Sequence, residues 1–122
     1  MSRMPTFIPG PALIPVSGNK MIREYVGRVN SGTSLASVAH MTSPAGWSEP
    51  GQRPEFTEFT LVLRGVLCVE HEGGLIEVQA GQAITTYPGE WIRYSTPYPD
   101  GCEYIAVCVP AFSPDTVHRD TA

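Results

Sequence analysis

The feature that most constrains this chain is a rhythm of short apolar runs, each six or seven residues long, cut off by glycine or proline turns. The runs fall at 35–41, 59–65, 66–71, 75–80, 82–87, 90–95 and 103–109, and "SPAG", "EGG", "YPGE" and "TPYPDG" interrupt them. Strands recurring at this spacing specify an all-β sandwich or barrel. Twelve prolines and twelve glycines among 122 residues leave little room for long helices. The length makes a single domain with a core of its own. The sequence divides into a Pro/Gly-rich arm with a first strand (1–30), a barrel (31–112) and a C-terminal tail (113–122).

Charge excludes several classes of partner. A formal net charge of −4, with charged residues at 16 %, gives no basic surface for nucleic acid or anionic lipid. Cys68, Cys102 and Cys108 are odd in number and each sits in an apolar run, which fits reduced core thiols in a cytoplasmic protein. The opening "MSRMPTFIPGPALIPV" is too broken by proline to act as a secretion signal, and no apolar run has the length of a membrane span.

Two stretches carry a resemblance. "GWSEPGQRPEFTEFTLVLRG" (46–65) is similar to the first motif of the cupin superfamily, with Gly46, Glu58 and Gly65 in register. "GQAITTYPGEWIRYST" (81–96) resembles the second, matching at Gly81 and Gly89. The resemblance implies a cupin-type jelly-roll β-barrel, commonly dimeric, with a site inside. It also implies a divalent metal on two histidines, a glutamate and a third histidine. Carried over, those positions are Gln52, Pro54, Glu58 and Ile92, so Glu58 alone keeps a ligand. Pro and Ile have no donor atom, and a neutral amide is a poor transition-metal ligand. The expectation is therefore no stoichiometric metal and no other cofactor.

Glu58 then needs another explanation. Strand alternation puts it on one face with Thr60 and Val62, leaving Phe59, Leu61 and Leu63 on the other. In the cupin register Ile92 and Tyr94 share the interior with it. A carboxylate among Ile, Val and Tyr has its pKa raised by desolvation and exchanges protons near neutrality, as a general acid or base does. The competing explanation is structural: Glu58 accepts hydrogen bonds from Tyr94, Gln52 or a backbone amide.

The candidate catalytic residues are thus Glu58 and His40, and the candidate ligand-binding residues are Gln52, Arg53, Tyr94, Ile92 and Trp91. Each has a plainer alternative: a solvated or hydrogen-bonded His40, a loop Arg53, a packing Trp91. The tail resembles the C-terminal segment of several cupins, which folds over the barrel opening, and this makes His118 a lid candidate. Three classes remain: a lyase, isomerase or hydrolase acting on a small polar molecule through Glu58, a non-catalytic ligand-binding or accessory cupin, and a self-filled structural barrel. The outward row of Phe59, Leu61 and Leu63 calls for a cover, and a homodimer supplies one.

Overall fold

The computed structural model describes residues 4–121, and no helix interrupts its strands. Among the described residues there is accordingly no helix long and apolar enough to cross a membrane. Nine strands run β1 (Ala12–Ile14), β2 (Met21–Val26), β3 (Ser37–Ser43), β4 (Trp47–Ser48), β5 (Thr57–His71), β6 (Gly74–Gln79), β7 (Ala83–Thr86), β8 (Ile92–Thr96) and β9 (Cys102–Val109). All pair antiparallel, in a curled sheet with two faces. One face has the order β1-β2-β3-β9-β5-β7 and the other β6-β5-β8-β4, so β5 belongs to both. This is the cupin jelly roll.

The two runs at 59–65 and 66–71 are one strand, bent at its middle. Register between β5 and β9 slips between Val62 and Arg64, and Gly65 sits at φ 80°. A Cβ at Gly65 would lie 2.1 Å from the Gly101 carbonyl oxygen, so only glycine allows the chain to turn from one sheet to the other here. The bulge also resets the alternation. Before it Glu58, Thr60 and Val62 face inward; after it Leu67 and Val69 do.

The interior has two apolar parts. Val62, Leu67, Val69, Val78, Ile92, Tyr94, Cys102 and Tyr104 fill the space between the two faces. At the other end Phe56, Cys108 and Val117 form a smaller cluster, with Phe112 edge-on to Phe56 at 5.8 Å between ring centroids. Val117 belongs to the tail, which turns at 114–116 and then runs beside 51–55. The amides of Arg53 and Glu55 donate to the carbonyls of His118 and Thr116, and that of Asp120 to Gly51. The three cysteines are free and buried. The segment 1–30 contributes two strands, β1 and β2, to the sheet.

Candidate functional site

Between the two apolar clusters a cavity of about 300 Å³ opens at the barrel end. Its walls come from the inward positions of β2, β3, β5 and β9 on one face, from Trp47 and Tyr94 on the other, and from Arg119 in the tail.

Glu58 lies on the inner wall, in register with Thr86 on one side and Cys108 on the other, and is 9 % exposed. Burial pushes its pKa up from the ordinary carboxylate range to about 7. Glu49 adds to the rise, while Lys20, Arg119 and a hydrogen bond from the Cys108 thiol oppose it. Tyr94 reaches across from the opposite face, its hydroxyl 3.3 Å from Thr86 Oγ1, and burial followed by the charge of Glu58 keeps its phenol protonated. Gln52 is held by backbone bonds to Ile92, its side chain is buried, and Oε1 has no protein hydrogen-bond partner among the described residues.

The remaining charges at the site were not among the expected ones. Lys20 stands just before β2 and is 8 % exposed. Its Nζ donates to the Tyr104 hydroxyl at 2.9 Å and lies 3.9 Å from the Trp47 ring centroid, an ammonium over an aromatic face. Burial pushes its pKa down, and Glu49 and Glu58 push it back. Glu49 follows β4, with its carboxylate 3.6 Å from Arg119 at the mouth. Its pKa is raised by burial and lowered by Lys20 and Arg119. Tyr104 completes the group through Ser43, 3.3 Å away. Lys20, Ile22 and Glu24 form one row along the cavity wall, with Lys20 one residue ahead of β2. Glu24 is a structural member of that row, accepting from the amides of Val29 and Asn30 at 2.9 Å each.

Four of the expected site residues lie elsewhere. His40 points outward: the inward residues of β3 are Ser37, Ala39 and Met41, and His40 binds Glu103 at 2.6 Å on the outer face. Arg53 projects into solvent, bonded to the Gly89 carbonyl and to Glu72 at 2.9 Å. Trp91 lies outside against the Gly51 backbone, its indole N–H donating to Asp120. Ile92 does face inward, but it is sealed in the apolar core at 1 % exposure and does not line the cavity. His118 pairs with Glu55 at the surface, and the tail residues that line the cavity are Pro114 and Arg119. Glu58, Gln52 and Tyr94 are brought together as expected.

The donor set does not fit the metal centre that the fold implies. Among the described residues no three His, Cys, Asp or Glu side chains gather closely enough to hold an ion. Around Glu58 the cavity also carries Glu49, which is paired with Arg119, and Glu24, which is bonded to the amides of Val29 and Asn30, and the cationic Lys20 opposes a divalent cation.

Fold and cavity together define a cupin-fold protein with a carboxylate–lysine interior. No family model matches the chain. The sequence is 42 % identical over 109 residues, 89 % of its length, to an endoribonuclease YbeY of Myxococcus xanthus, and it spans 37 % of that protein. Among solved structures it is similar to the polyketide cyclase RemF of Streptomyces resistomycificus, with TM-score 0.73 and 18 % identity over 99 % of this chain and 88 % of the other. A variant of oxalate decarboxylase from Bacillus subtilis superposes with TM-score 0.74 and 17 % identity over 98 % of this chain and 33 % of that one.

Proposed function

We propose that this chain is a small-molecule-binding cupin that uses Glu58 for acid–base chemistry, without a His-ligated metal, in a lyase, isomerase or hydrolase type of reaction. The observation that carries this is a carboxylate buried in the wall of a ligand-sized cavity and titrating at about 7. Such a group is divided between its acid and base forms at neutral pH, which suits it to taking a proton and returning it. Tyr94, protonated throughout, is a hydrogen-bond donor to the same space, and Gln52 Oε1 is an open acceptor. Fold neighbours that include a cyclase and a decarboxylase are consistent with catalysis in such a barrel.

A non-catalytic ligand-binding or accessory cupin is the second reading, favoured by the mostly apolar lining around so few polar groups. The endoribonuclease activity named for the Myxococcus protein is not part of the proposal. RNA binding needs unpaired cations to neutralise phosphates. Among the described residues Arg53, Arg64, Arg93 and Arg119 each stand in an ion pair, leaving the arginines Arg23 and Arg28 outside one, within a net charge of −4 for the chain. The same proposal places the protein in the cytoplasm, as a homodimer.

The test is Glu58→Gln, screened beside the wild type against a metabolite library by thermal shift. Compounds that stabilise the wild type are expected to lose their effect in the variant while its fold persists. Hits that bind both proteins equally would make Glu58 a structural residue.

A further inference from the structure

Lys20 is the charge that the proposed chemistry leaves unexplained. It is 8 % exposed and lines the cavity, and among the described residues no carboxylate comes within 4.0 Å of its Nζ. An ammonium has three donors, and the Tyr104 hydroxyl takes one of them. Glu49, the nearer candidate for a counter-ion, is engaged by Arg119 at the mouth. A buried cation without a direct counter-ion is costly, and an apolar side chain at position 20 would pack against Trp47 without that cost. The charge therefore has a use that the protein alone does not display.

Resting on the reading of the cavity as a ligand site, we propose that it receives a small organic carboxylate with an apolar, ring-sized body, whose anionic head binds Lys20. The surroundings favour that class over a highly polar metabolite. Phe56, Trp47, Tyr94 and Tyr104 supply aromatic walls for the body, and Lys20 and Gln52 are polar groups in the same lining. The mouth pair of Glu49 and Arg119 and the lining pair of Glu24 and Arg28 each sum to zero formal charge, so the net positive charge presented inside is that of Lys20 whenever Glu58 is protonated. The groups facing Glu58 are Glu49, Lys20, Arg119, Cys108, Tyr94 and Tyr104. Of these, only carboxylates repel an incoming anion at neutral pH, and ionisation of Glu58 adds to the repulsion. Affinity for the carboxylate falls as pH rises through 7.

Benzoate, benzamide and benzylamine share a ring and differ in charge, and each is titrated into the full-length wild type while the amide resonances of Ala39 and Ala106 are followed by NMR. Benzoate is expected to bind at least about tenfold more tightly than benzamide, with benzylamine weakest. In Lys20→Met the preference for benzoate disappears and benzamide binding is retained; Lys20→Gln serves as the second variant should Met perturb folding. Raising the pH from about 6 to about 8 weakens benzoate several-fold in the wild type. Benzamide binding as well as benzoate in the wild type overturns the carboxylate assignment and leaves the cavity a ligand site. A benzoate preference that survives both Lys20 variants overturns the role of Lys20. If none of the three probes shifts the cavity resonances at millimolar concentration, the reading of the cavity as a ligand site fails, and the carboxylate assignment with it.

Discussion

A buried glutamate that titrates at about 7 couples the charge state of the cavity to the stability of the whole chain. The folded state holds its Glu58 proton to a higher pH than the unfolded chain, so between the ordinary glutamate value and about 7 the folded state binds more protons. Stability from this group is therefore fully present below the unfolded pKa and is lost as pH rises through the folded one. The shift corresponds to on the order of 3 kcal/mol. Glu58→Gln keeps the shape and has no such slope. Urea denaturation of both proteins across the acid-to-neutral range is expected to show the variant gaining on the wild type as pH rises, by up to about that amount. A difference that stays constant with pH would mean Glu58 is not buried as a titrating acid. At this scale, part of the site was legible in the sequence. Alternation and motif spacing were enough to turn Glu58 and Tyr94 inward and to put Gln52 at the edge of the cavity. Lys20, Glu49 and Arg119 were not legible. Each lies just outside a strand, where parity is not defined, and a charged residue beside a turn ordinarily points to water. His40 failed for the opposite reason: it lies on a regular strand, but on the parity that carries the Arg23 and Glu103 contacts of the outer face.

Among the elements, β5 decides the architecture, because it alone runs through both faces of the barrel. Its bend depends on Gly65 for two separate reasons, a positive φ and the Gly101 carbonyl where a Cβ would stand. Gly46 has nearly the same φ, 79°, and nothing within 4 Å of a Cβ. Comparison of the two separates backbone strain from collision. Gly46→Ala is expected to cost about 1 kcal/mol, the strain alone. Gly65→Ala is expected to cost several times that, about 3 kcal/mol or more, since backbone cannot move aside as a flexible side chain would. Thermal or urea unfolding of the two variants checks it, and equal losses would remove the collision from the explanation. Each apolar run read after residue 34 falls on a strand, whereas β4, two residues at Trp47–Ser48, lay in none of them. The bulge was not legible, since two adjacent apolar runs separated by glycine look the same whether the chain turns back or bends onward. β1 and β2 were obscured by their composition: β1 is three residues among prolines, and β2, "MIREYV", carries a charged inward residue, Glu24, that caps the following loop.

For the whole molecule, the unpartnered surface lies on the convex side of β5. Phe59, Leu61 and Leu63 are 46 %, 44 % and 46 % exposed, and the outward residues of β9 continue the patch, with Val107 beside Phe59 and Ile105 beside Leu61. The neighbouring surface is charged with both signs: His40 and Arg23 follow Ile105 across the sheet, Glu103 lies two residues from Ile105 along β9, and Arg64 stands 3.7 Å from Glu103. An apolar strip of this kind meets its own copy strip onto strip under a two-fold axis. A second copy of this chain is the occupant such a face suits. The wild type is expected to sediment as a dimer at micromolar concentration, and Leu61→Glu to sediment as a monomer. One carboxylate at the centre of the strip would be desolvated twice in the symmetric interface, once from each copy. In the monomer that same residue lies on an exposed outward position, so the variant is expected to keep its fold and its cavity. Two results would remove the dimer from this face: a wild type that sediments as a monomer, or a Leu61→Glu variant that remains a dimer.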